Sequence, residues 1–298
     1  MSSIRSRTLQ LLLVTALLVG LTAHPGASAE RGRATERVLH LVDPSRTIRL
    51  PDGRRVLRPV TTYVRFPVRK GGPWPLVVFG HGFATTPGIY AQLLRWWALA
   101  GYVVAAPLFP LGNEHAPGGP NEADIVNQPA DISFVISQLL AASASPTNPL
   151  HRLIDPSRIA VAGQSDGGLT AFAVTYDKPF RDPRIDAAVV LSGGRLPGRT
   201  FRFPRPSPPL LVVQGTADTI NPVRYAREFY RAATRPKFLL LLRGAGHLLP
   251  YTVEQPQLSV VEQATTAFLD RYLEHGPPGA LEQTVAATPG IASLTARP

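Results

Sequence analysis

The sequence predicts an α/β fold: a mostly parallel central sheet flanked by helices. Two observations carry this. Short apolar runs rich in Val, Ile, Leu and Ala recur between stretches with helical spacing, and the runs are continuous rather than alternating, as in strands covered on both faces. Strand alternating with helix then implies right-handed βαβ units. A length of 298 residues suffices for one large domain with a well-buried core.

Residues 1–29 read as a secretory signal peptide rather than as part of that domain. Arg5 and Arg7 form a positive n-region, Leu9 to Leu21 an apolar core, and Ala27-Ser28-Ala29 an A-x-A cleavage site. The competing reading is a membrane anchor, but the apolar core is short of the roughly 20 residues that span a bilayer. Export is therefore expected, with no stable membrane anchor after cleavage.

The domain is expected over 30–275. Strands are predicted at 63–67, 76–79, 102–106, 159–162, 187–191, 210–213 and 238–242. Helices are predicted at 89–100, where Leu93, Leu94, Trp97 and Ala98 share a face, at 130–142, and at 257–272. Residues 276–298 open on Gly276-Pro277-Pro278-Gly279 and show no sustained period, so they read as a mobile or loosely packed tail.

Composition excludes several function classes. There is no cysteine, which removes disulfides, thiolate nucleophiles and cysteine-ligated metals. The histidines and carboxylates show no ligand spacing, so neither a metal nor a cofactor is expected. The net charge is +11, but lysine occurs only at Lys70, Lys178 and Lys237 and the arginines are scattered. No basic stripe with aromatic platforms points to nucleic acid.

The strongest motif is Gly163-Gln164-Ser165-Asp166-Gly167-Gly168, a G-x-S-x-G between an apolar strand and a helical run. A tight strand–turn–helix corner needs small residues at Gly163 and Gly167, and it lifts the Ser165 hydroxyl clear of the sheet. The alternative is a glycine-rich turn whose serine caps a helix. A serine nucleophile needs a base and an orienting acid. His247, in Gly244-Ala245-Gly246-His247 after the strand at 238–242, is the candidate base. Asp218, after the strand at 210–213, is the candidate acid. Asp155, Asp182 and Asp186 read as turn residues, and Asp131 as a helix cap. His24 lies in the leader, while His40 and His275 lie outside the predicted core. The oxyanion site is expected from the N–H groups of Phe83 and Asp166, with His81 as a structural residue of the Phe79-Gly80-His81-Gly82-Phe83 turn.

On these residues the chain, from about Val60 to His275, resembles the α/β-hydrolase fold family. It is similar to secreted bacterial carboxylesterases and lipases, near the cutinase-like polyester hydrolases, platelet-activating-factor acetylhydrolases and chlorophyllase-like enzymes. Gln164 and Asp166 stand where polyester hydrolases usually carry His or Trp and Met. The resemblance implies an α/β-hydrolase fold and ester hydrolysis through an acyl-enzyme.

The 192–209 segment, with Arg195, Arg199, Phe201, Arg202 and Phe203, is too short for a multi-helix lid, so little or no lid domain is expected. The insertion at 107–128 should wall the site. Phe83, Phe109 and Leu248 are candidate apolar contacts for an acyl chain, and His115 reads as a solvated loop residue. The expected substrate is a small-molecule or polymeric ester of short to medium acyl chain. A peptidase, an acyltransferase, a polyester hydrolase and, last, a non-catalytic binding protein remain the alternatives.

Overall fold

A computed structural model describes residues 32–69, 71–195 and 203–298. The signal-peptide reading of 1–29 and the residues Lys70, Arg199, Phe201 and Arg202 fall outside these. Gly32–Pro298 form one compact unit.

The unit is organised by a nine-stranded sheet in the order β1-β2-β4-β3-β5-β6-β7-β8-β9. Its strands are β1 (Ala34–Arg49), β2 (Arg55–Pro67), β3 (Trp74–Gly80), β4 (Val103–Pro107), β5 (Ile154–Gln164), β6 (Ala187–Leu191), β7 (Leu210–Gly215), β8 (Lys237–Leu242) and β9 (Ala292–Arg297). The six from β4 to β8 run parallel, and β1, β2 and β9 are antiparallel at the two margins. The helices are α1 (Ala91–Ala100), α2 (Gln128–Ala144), α3 (Asp166–Tyr176), α4 (Val223–Ala232), α5 (Gln257–Leu273) and α6 (Ala280–Ala286).

Both faces of the parallel strands are buried, which is why their runs are continuously apolar. Val77, Phe79, Val104, Ala160 and Ala162 face a core shared with α1, α5 and α6. The alternate residues Leu76, Val78, Val103, Ile159 and Val161 face α2. Farther along that second face, Val190 and Val212 meet Phe172 of α3 and Phe229 of α4. Helix α1 is joined to α5 by the Trp97 indole, which donates to Thr265 Oγ1 at 2.9 Å.

Two parts of the sequence reading are corrected. Residues 276–298 do not form a mobile tail: α6 buries Leu281 and Val285, and β9 pairs along the whole of β8. An open edge of β8 is thereby covered, and Ala292, Leu294 and Ala296 turn toward the core while Ser293, Thr295 and Arg297 are exposed. The strand at 63–67 is also only the end of β2, which forms a long hairpin with β1. That hairpin carries apolar residues on both faces, with Val38 and Val42 exposed, so its period is blurred. Among the described residues no helix is long and apolar enough to cross a membrane.

Asp131 is more than a helix cap. It is fully buried in the first turn of α2, where Arg58 of β2 donates to it at 2.7 Å and to Asp124 at 2.6 and 3.0 Å. Asp124 belongs to the 107–128 insertion, so this buried pair of contacts ties the insertion to the sheet.

Candidate active site

The chain leaves β3 for β4 on one side and returns through α2 to β5 on the other. The carboxyl ends of β3 and β5 therefore border the switch point at which open α/β sheets build their sites. Phe79-Gly80-His81-Gly82-Phe83 leaves β3 there, and Gln164-Ser165 leaves β5. The loops after β7 and β8 bring Asp218 and His247 to the same edge.

Ser165 sits at the corner between β5 and α3 with φ 56° and ψ −119°, a conformation that costs a non-glycine residue of order 1–3 kcal/mol. The corner is held from both sides, because the Ser165 N–H donates to Leu191 O at 3.0 Å and its carbonyl accepts the Leu169 N–H at 3.0 Å. The chain approaches itself closely here. A Cβ on Gly163 would overlap the Gly167 carbonyl, and one on Gly167 would overlap the Gly80 carbonyl.

Ser165 Oγ lies 2.9 Å from His247 Nε2, and His247 Nδ1 lies 2.8 Å from Asp218 Oδ2. With Nδ1 as donor to the carboxylate, Nε2 is left as the acceptor of the serine proton. Asp218 is buried and every lone pair is in use. Its Oδ1 accepts the N–H groups of Ile220 and Asn221 at 2.9 and 2.8 Å, and its Oδ2 also accepts Gln214 Nε2 at 2.9 Å. Burial pushes this carboxyl up, but the hydrogen bonds from His247 and the Asn221 N–H outweigh it and hold it below the usual carboxylate range.

Gln214 escaped the sequence reading. It ends the apolar run of β7 as Gln164 ends that of β5, and an amide closing a buried strand at its carboxyl end was the available signal.

The N–H groups of Phe83 and Asp166 donate to no partner among the described residues. That of Asp166 opens α3, where first-turn donors have no intrahelical acceptor and the helix end favours negative charge. His81 is fully buried within this turn. Its Nε2 accepts the Phe109 N–H at 3.0 Å, so Nδ1 carries the proton and donates to Gly82 O at 2.8 Å. Burial pushes this imidazole down to about 4, and it stays neutral as a brace for the turn.

Phe109 is corrected as a substrate contact. It has no exposed surface and its ring packs at a tilt against His81 with centroids 4.8 Å apart, because the insertion turns back over the sheet as soon as it leaves β4. Phe83 is exposed, and Leu248 is partly buried against the core. The insertion meets the Phe83 turn through a bridge between Thr85 and Asn113 and a hydrogen bond from the Ala84 N–H to Gly112 O at 2.8 Å. His115 is solvent-exposed. Phe203 packs on Tyr176 at 4.8 Å, and 192–195 and 203–209 contain no helix. Among the described residues, no group of three His, Asp or Glu is arranged to hold a metal.

Asp166 carries a cost. Its Oδ2 is shielded from water and unpartnered, and burial, with Glu122 nearby, pushes the carboxyl up to about 6 against the favourable pull of His247. A folded-state value above the unfolded one means that stability falls as pH rises through the interval between them. Asp166→Asn should therefore raise stability at pH 8 by about 2 kcal/mol, allowing for partial exposure, and the gain should vanish below pH 4. Thermal melts of both proteins across that range measure it; a gain largest at acid pH would contradict the assignment.

The chlorophyllase family model matches residues 42–191, half of the chain. The chain belongs to the chlorophyllase family. The matched span carries the turn at Phe83 and the corner at Ser165. Chlorophyllase-2 of Arabidopsis thaliana is 24% identical over 249 residues, covering 74% of each chain. An uncharacterized protein of Mycobacterium tuberculosis is 28% identical over 226 residues, covering 68% of this chain and 75% of that protein. Membership in the chlorophyllase family, with its α/β-hydrolase-like fold, supports a hydrolase acting on esters.

Proposed function

We propose that this chlorophyllase-family protein is a serine hydrolase that cleaves carboxylic esters of short to medium acyl chain through an acyl-enzyme. The observation that carries the reading is the hydrogen-bonded series Ser165–His247–Asp218 at the sheet's switch point. Ser165 Oγ attacks the ester carbonyl while His247 Nε2 takes its proton. Asp218 holds the imidazole in the tautomer that leaves Nε2 free and stabilises the imidazolium. The N–H groups of Phe83 and Asp166 receive the negative charge that develops on the carbonyl oxygen, a type of contact worth about 10²–10³ in kcat for one donor. His247 returns the proton to the departing alcohol, and water repeats the sequence on the acyl-enzyme. Exposed Phe83 and half-buried Leu248 supply apolar contact for the acyl chain. Its action outside the cytoplasm, on small-molecule or polymeric esters, rests on Arg5, Arg7, the apolar core and Ala27-Ser28-Ala29.

A fluorophosphonate probe tests the reading directly. Peptide mapping should find the label on Ser165, and the labelled protein should lose hydrolysis of p-nitrophenyl acetate and butyrate. The same preparation should leave aminoacyl p-nitroanilides essentially untouched. A label on another residue, or amide cleavage faster than ester cleavage, would overturn it.

A further inference from the structure

A buried chain of hydrogen bonds runs beneath the nucleophile and touches both loops that flank it. It begins at the turn after β3, where the Gly82 N–H donates to Tyr90 Oη at 3.2 Å. The Tyr90 hydroxyl donates in turn to Gln164 Oε1 at 2.7 Å. Gln164 Nε2 then donates to the backbone carbonyl of His247 at 2.9 Å, and it lies 3.3 Å from His247 Nε2. Tyr90 has no exposed surface and Gln164 almost none. Burial pushes the Tyr90 hydroxyl up to about 12, so it remains a neutral donor.

The polarity of the chain is fixed by its ends. A backbone N–H at Gly82 can only donate, and the carbonyl of His247 can only accept, so Tyr90 must pass its proton toward Gln164 and the Gln164 amide must present its nitrogen to His247. No single member can rotate without leaving a buried polar atom unpaired. The turn and the loop are otherwise separate in sequence, one after β3 and the other after β8. Space around the chain is equally restricted, since a Cβ on Gly82 would lie 2.8 Å from Gln164 Oε1 and 3.2 Å from Tyr90 Oη.

We propose that Tyr90 and Gln164 are positioning residues that set the oxyanion-donor turn at Phe83 and the base loop at His247 as one unit, with Ser165 held between them. Gln164 is adjacent in sequence to Ser165, so a single amide registers three parts of the site against one another. The inference rests on the serine-hydrolase reading. It adds that the residue preceding the nucleophile acts through the two flanking loops and not on the substrate.

A double-mutant cycle tests it. Tyr90→Phe removes one oxygen, and Gln164→Met removes the amide while keeping length. With p-nitrophenyl butyrate, each variant should lose tenfold or more in kcat with KM within about twofold, because alignment in the transition state is lost and substrate binding is not. The double variant should lose little more than the worse single one, as expected for residues acting through one chain. Multiplicative losses, an unchanged kcat for Tyr90→Phe, or a fall in kcat explained by loss of folded protein in melts would each overturn the proposal. Should Gln164→Met fail to fold, Tyr90→Phe alone carries the test. Fluorophosphonate labelling of the wild type separates the two hypotheses. If Ser165 labels and Tyr90→Phe turns over at the wild-type rate, the relay fails while the serine mechanism stands.

Discussion

Replacement of Ser165 by alanine is expected to lower kcat on p-nitrophenyl butyrate by roughly 10⁶-fold, with a melting temperature close to that of the wild type. Alanine keeps the Cβ and therefore bears the same backbone conformation at φ 56°. The loss is confined to Oγ, which on the proposed mechanism leaves His247 Nε2 with no nucleophile to activate. His247→Ala should cost about as much, and the two together scarcely more, because a nucleophile and its base act as a unit. Asp218→Asn should cost roughly 10⁴. The amide can satisfy the Ile220 and Asn221 N–H groups through its oxygen, so the fold survives, but its nitrogen then faces His247 Nδ1 and selects the wrong tautomer. Initial rates, normalised by fluorophosphonate titration of the wild type, measure all of these. A Ser165→Ala protein retaining more than about one per cent of wild-type turnover would remove the serine mechanism from consideration.

The parts of this protein that were legible in its sequence share a physical cause. Buried parallel strands must be apolar on both faces, so β5, β6, β7 and β8 stand out as unbroken runs between polar segments. A tight strand–turn–helix corner must be flanked by small residues, so Gly163 and Gly167 mark the corner at Ser165 in the sequence alone. The margins of the sheet lack such a constraint. β1 and β9 each leave residues in water, and Val38 or Thr295 in isolation says nothing about which side is covered. Phe109 was misread because the end of a strand specifies where a loop begins but not which way it turns. Buried polar partnerships are hidden for a related reason. Arg58 with Asp124 and Asp131, or Tyr90 with Gln164, join residues 66 to 74 positions apart, and only the folded chain pairs them.

The same crowding that marks the corner should make it intolerant of a single methyl group. Gly167→Ala is expected to destabilise the fold by about 4 kcal/mol or more, well above the 1–3 kcal/mol of ordinary overpacking. An added Cβ there overlaps the Gly80 carbonyl, and its neighbours are the backbone of β3 and His81, which no rotamer change can move aside. Relief requires α3 to lift away from β3, which on the proposed mechanism would pull the Asp166 N–H from the Phe83 turn and lower turnover in whatever protein folds. Gly163→Ala meets the Gly167 carbonyl and should behave alike. Gly246→Ala is the informative control: it is adjacent to His247, but a Cβ there meets nothing within 4 Å, so its melting temperature should match the wild type. For a domain of this size 4 kcal/mol corresponds to a fall of roughly 10 °C. Thermal melts or urea titrations read the difference, and insoluble expression of Gly167→Ala beside soluble Gly246→Ala would point the same way. Equal stability of the two would mean that β3 and α3 are not in contact at Gly80, and the corner would then have no reason to hold Ser165 in its strained conformation.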